Sequence, residues 1–121
     1  MSVQGNDEEQ WLLNMRAFYL SRADDKISEL TTAVSDLERN PASQTAFRRL
    51  NRMLHNLVGS AGSYGVMEAS ETARKMLQRL KSERQDGAAV GDDALSELRD
   101  GIERLRNVFD KASAGGSAAF A

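Results

Sequence analysis

Apolar residues recur along this chain at steps of three and four, the spacing that keeps one stripe on a helix of 3.6 residues per turn. The first stripe reads Leu12, Met15, Tyr19, Ala23, Ile27, Leu30, Val34 and Leu37. A break near Asp24 would split off a short N-terminal helix. Asn40-Pro41 then punctuates the pattern, as a capping residue followed by proline at the first position of the next helix. A second stripe follows at Phe47, Leu50, Leu54, Leu57, Ala61 and Tyr64. The third runs through Ala69, Ala73, Met76 or Leu77, and Leu80, and fades between Ser82 and Asp86. Gly87 to Gly91 predicts a loop, with Asp92 or Asp93 capping a last helix striped by Leu95, Leu98, Ile102, Leu105, Phe109 and Ala112.

Four amphipathic segments with short connections predict an all-α, antiparallel up-down four-helix bundle over residues 11–112. Residues 1–10 and the Ala/Gly/Ser-rich residues 113–121 are expected to be flexible flanks. Met53, Met67 and Met76 are expected to fill gaps in the core, and Trp11 and Phe18 to close one end of it. Composition supports the helical class. Leu and Ala outnumber Val, Ile and Thr more than two to one, and the single proline leaves long helices uninterrupted.

With 121 residues the chain makes one domain, and four helices can close their own core, so a monomer is expected. Cysteine is absent, which removes disulfides and thiolate chemistry together. No apolar run approaches the ~18 residues of a membrane span, and no secretory leader is visible, so a soluble, cytoplasmic protein without a membrane partner is expected. The net charge of −2 argues against nucleic acid as a partner.

Charge is unevenly spread, however. No Asp or Glu lies between Glu38 and Glu68, whereas Arg39, Arg48, Arg49 and Arg52 do, so that stretch carries +4 and the remainder −6. It also holds the chain's only histidine. On a helical wheel at ~100° per residue, His55 falls about 130° from the centre of the leucine stripe and faces solvent. Asn51, Arg52, Gly59 and Gly62 gather around it. A glycine within a helix costs about 1 kcal/mol relative to alanine, so two beside one histidine need a reason. Without side chains they leave the imidazole open and let a partner approach the backbone. The alternative is a helix that ends near Val58, with the glycines in a loop. The continued stripe at Ala61 and Tyr64 favours the helix, stopped by Gly65.

The chemistry open to this face is narrow. The helical neighbours of His55 are Asn51, Arg52, Val58 and Gly59, which do not make a metal site. Glycines at 59, 62 and 65 match neither a P-loop nor a dinucleotide fingerprint. An exposed imidazole flanked by arginines suits an anionic ligand such as a phosphoryl group. Histidine as a residue type titrates near pH 6.5, so a nucleophilic lone pair is available at neutral pH without a base.

The run His55-Asn56-Leu57-Val58-Gly59-Ser60-Ala61-Gly62-Ser63-Tyr64-Gly65 resembles the signature of histidine-containing phosphotransfer (HPt) domains. In that signature a leucine stands two residues after the histidine, commonly a lysine at the third and a glycine at the fourth. Here Val58 replaces the lysine. The resemblance implies a four-helix bundle with an added N-terminal helix, His55 as the phosphorylated residue, and Gly59 as the position that keeps it clear. It implies that Arg52, one turn back, supplies the positive charge, with Arg48, Asn51, Val58, Gly59 and Gly62 in the docking face. It implies receiver domains of response regulators or hybrid histidine kinases as partners and no cofactor or metal on this chain, the magnesium belonging to the receiver. ATP binding and kinase activity are not expected. The alternative is a helical module that binds a partner through the His55 face without covalent chemistry.

Overall fold

The computed structural model describes residues 3–83 and 88–120, with side chains over 8–83 and 88–114. Five helices follow in order: α1 Val3–Ser21, α2 Ala23–Arg39, α3 Gln44–Ser63, α4 Met67–Ser82 and α5 Asp92–Phe120. The break in the first pattern lies at Arg22, two residues before Asp24. Arg22 leaves helical geometry at φ −98° and ψ 4°, and its N–H donates to the Tyr19 carbonyl at 3.1 Å. The added N-terminal helix is therefore 19 residues long and not short. Both flanks carry helical backbone, over Val3–Gln10 and Ser113–Phe120. Of the expected 87–91 loop, residues 88–91 are non-helical, and Gly87 lies outside the described residues.

Helices α2, α3, α4 and α5 pack in sequence around a square that α5 closes against α2, and diagonal pairs stay apart. This is the up-down bundle the four stripes predict. Its interior is the stripes from Tyr19 onward, with Leu30, Val34, Leu37, Leu50, Leu54, Leu80, Leu98 and Leu105 almost fully buried, whereas Leu12 at the start of the first stripe is exposed and Met15 half-buried. Helix α1 lies outside the ring, against α5 and the start of α2. There Tyr19 stacks on Tyr64, with ring centroids 4.6 Å apart, and meets Phe109 edge-on at 6.2 Å.

Several local expectations need correction. Trp11 and Phe18 do not close the core; they are 61% and 57% exposed, because α1 fully buries only Tyr19 and Leu20 on the bundle, with Leu13, Met15 and Arg16 half-buried. Met67, in the first turn of α4, is likewise exposed, while Met76 is buried and Met53 half-buried. Asn40-Pro41 does not start α3. Asn40 opens a turn closed by the Ser43 N–H on its carbonyl at 2.9 Å, and Ser43 is the cap, its Oγ accepting from Ala46 N–H at 3.1 Å. Asp92 and Asp93 lie inside the first turn of α5, where carboxylates favour the positive end of the helix dipole. The Leu95 N–H there reaches back to the Gly91 carbonyl.

The bundle's lower end is tied by polar contacts. Val90 N–H donates to the Pro41 carbonyl at 2.9 Å, joining the α4–α5 connection to the α2–α3 turn. Arg99 on α5 grips both carboxylate oxygens of Glu38 on α2, and this holds the Glu38 carboxyl below the usual carboxylate range. Glu83 is also lowered, by the Gly91 N–H at 2.9 Å and then by Arg79. A carboxylate with a depressed folded pKa adds stability that is present above its unfolded pKa and disappears as pH falls through the folded one. The domain should therefore lose stability below about pH 4. Urea midpoints followed down from pH 5 should show Glu38→Gln with a flatter acid limb than wild type. An unchanged limb would mean that the Arg99 clasp contributes nothing.

Candidate functional site

Helix α3 is built to present one residue. Phe47, Leu50, Leu54, Leu57 and Ala61 take its buried side, and His55 emerges on the opposite one, exposed. Among the described residues no group hydrogen-bonds the imidazole. Arg48 and Arg52 are exposed on the same face and form no ion pair among the described residues, whereas Arg49 and Arg39 both turn to Asp36. The free positive charge on α3 is thus Arg48 and Arg52, with half-buried Asn51 on the flank toward α4.

The helix continues through both glycines. At Gly59 an added Cβ would meet nothing within 4 Å, so the absent side chain serves open space next to His55. Gly62 is different: its Cβ position lies 3.4 Å from Ser70 Oγ on α4, which turns it toward the helix seam. Gly65 ends α3 with φ +77°, the one left-handed residue of the described chain. Its N–H donates to the Gly62 carbonyl at 3.1 Å, and the Val66 N–H reaches the Ala61 carbonyl at 2.8 Å. This paired arrangement is the Schellman stop, and Val66 buries its side chain beside Ala61.

Two hydroxyls that periodicity does not single out hold the site's scaffold. Ser70, buried on α4, donates from Oγ to the Val58 carbonyl at 2.7 Å and sets the register of α4 against α3. Only its place among Ala69, Ala73 and other small residues hints at so close an approach. Tyr19 OH and Ser60 Oγ share a hydrogen bond of 2.9 Å, binding α1 to α3 one residue past Gly59. Burial pushes the Tyr19 phenol pKa up, against the opposing pull of Ser60. Val58 packs partly into the core, so the position where lysine is common is apolar and half-buried here. On the α2 side, Lys26 lies over the Tyr19 ring at 5.1 Å and lines a small groove with Glu29, Met53, Asn56 and Ser60. Nothing in the α2 stripe marks Lys26, because helical period does not show which polar residues of α2 meet α3.

The fold and site together define an all-α bundle that displays the chain's single histidine on an open helix face. Among the described residues no group of three or more His, Asp or Glu is placed to hold a metal ion, and no helix is long and apolar enough to cross a membrane. The Hpt domain family matches residues 14–108, most of the chain, and the chain belongs to that family. It is also 26% identical, over 98 residues, to the chemotaxis protein CheA of Halobacterium salinarum. That match covers 81% of this chain but 15% of the relative, so the chain spans a small part of the curated protein it resembles. No solved structure matches it significantly.

The three glycines should respond differently to alanine. Gly59→Ala has helical backbone and empty space, so it should stabilise the domain by up to ~1 kcal/mol, raising Tm by several degrees. Gly65→Ala must hold a left-handed conformation and should destabilise by about 1 kcal/mol or more. Gly62→Ala should stay near wild type. Thermal melts of the three variants check the ranking, and a destabilised Gly59→Ala would place that face against the protein instead of solvent.

Proposed function

We propose that this domain is a phosphoryl carrier, taking a phosphoryl group onto His55 from a receiver aspartate and returning it. The observation that carries the reading is the chain's single histidine, exposed in mid-helix beside the unfilled Gly59 position, in a member of the Hpt family. The imidazole nitrogen farther from the helix attacks phosphorus. An N–P bond forms, the P–O bond of the aspartyl phosphate breaks, and its electron pair leaves on the aspartate carboxylate. Reversal returns the group to the next receiver. Such a transfer depends on in-line approach and charge stabilisation, so a carrier with few catalytic groups is adequate when the receiver brings the metal ion. Arg52 contributes positive charge from the same face, and Arg48, Asn51, Val58 and Gly59 form the surface on which the receiver settles. Receivers of response regulators or hybrid kinases in the cytoplasm are the partners that suit this chemistry.

Incubation with a panel of phosphorylated receivers, followed by intact-mass measurement, tests the reading. Wild type should gain one phosphoryl group that is lost in acid and kept in alkali. Binding without mass gain would leave only a docking module. His55→Gln should fold normally and accept nothing; an acid-labile phosphoryl group on that variant would defeat the assignment. Arg52→Ala should slow transfer ~10-fold, equivalent to about 1.4 kcal/mol of barrier. Gly59→Leu should be as stable as wild type or more so, yet transfer should collapse, because the new side chain rises where the receiver aspartate must enter. A stable Gly59→Leu protein with normal transfer would overturn the access argument.

A further inference from the structure

The seam flank of His55 lacks a cation from its own helix, since Val58 points partly into the core. Helix α4 runs antiparallel to α3 across the reversal at Tyr64–Val66, and the Ser70–Val58 hydrogen bond fixes how the two helices align. One turn up α4 from Ser70 corresponds to one turn back along α3 from Val58, the turn that carries His55. The residue one turn on from Ser70 is Arg74. Ser70 faces the seam and Arg74 follows it four residues later, slightly outward, as His55 lies slightly outward of Val58. Packed helix axes lie ~8–10 Å apart, a gap that an arginine side chain bridges from its own helix edge.

Arg74 is exposed, and among the described residues it pairs with Glu71, an i,i+3 neighbour on α4 at 2.8 Å. Exposed pairs of this kind hold weakly and exchange readily. A guanidinium fork matches phosphoryl oxygens, and a phosphoryl group on His55 would present more negative charge than the Glu71 carboxylate. We infer that Arg74 is the cation that holds the phosphoryl group on His55 from across the seam, leaving Glu71 when the group arrives, with Glu71 as its competitor. This rests on the carrier reading. It makes α4 a contributor to the site and gives the domain a way to set how long the phosphoryl group stays.

The measurement is the equilibrium share of phosphoryl between His55 and one phosphorylated receiver, with the decay of phosphohistidine on the separated protein. Arg74→Ala should lower the His55 share and lifetime ~5-fold, the scale of one exposed charge-assisted hydrogen bond. Arg74→Lys, which keeps the charge and loses the fork, should fall between. Glu71→Gln should shift both quantities the other way, ~2-fold, by freeing Arg74. Glu103→Gln makes the same charge change on α5 and serves as the control for net charge. All four should melt near the wild-type temperature. Equal shifts in Glu71→Gln and Glu103→Gln, or an Arg74→Ala protein with wild-type share and lifetime, would overturn the assignment of Arg74 while leaving the carrier intact. A wild-type protein that never takes up phosphoryl would overturn both.

Discussion

The seam between α3 and α4 is the constraint on which the rest of this domain depends. Small residues at the contact, Gly62 on α3 against Ser70 on α4, let the two backbones approach closely enough for a hydroxyl of one helix to reach a carbonyl of the other. A hydrogen bond of this kind contributes only about 1 kcal/mol, but it is directional where leucine packing is not. Leucine stripes alone would tolerate a slide of one helix along the other. With Ser70 seated on Val58 and the chain reversed at Gly65, such a slide breaks both features at once. The outward direction of His55 is then fixed by two helices and not by one.

The same seam shows why part of the site was legible in the sequence and part was not. His55, Arg48, Arg52 and Gly59 share one helix, and a 3.6-residue period is enough to sort them from Leu50, Leu54 and Leu57. The Gly65 stop was legible for the same reason, being local chemistry at a helix end. Ser70, Tyr19 and Lys26 meet α3 from other helices, and their roles depend on register and crossing geometry that no single stripe encodes. Gly62 lay between the two cases. On the wheel at ~100° per residue it lies ~60° from Gly59, on the Val58 side of His55, and α4 stands against it while solvent stands against the other.

Errors about the ends of elements have a common physical origin. Asn40-Pro41 carries good start signals, yet a serine two residues later offers a hydroxyl in the right place, and the turn formed ahead of it takes up the proline. Trp11 and Phe18 satisfy a helical period, but the period identifies a face and does not supply a surface for it to cover. The ring of four closes without them. Burial follows from the ring, so the aromatic residues of α1 remain in water while Tyr19, at its inner end, does not.

Because α1 joins the ring only through its last turns, it shares less of the core than the four ring helices do. The core leucines of α2 to α5 protect one another, and their amides open only when the whole bundle does. Helix α1 is held by less, chiefly Tyr19, which stacks on Tyr64 and shares a hydrogen bond with Ser60. Ser60, the neighbour of Gly59, thereby ties α1 to the rim of the face that carries His55. The break at Arg22 thus leaves a helix that stands outside the ring in contact with the border of the face that carries His55.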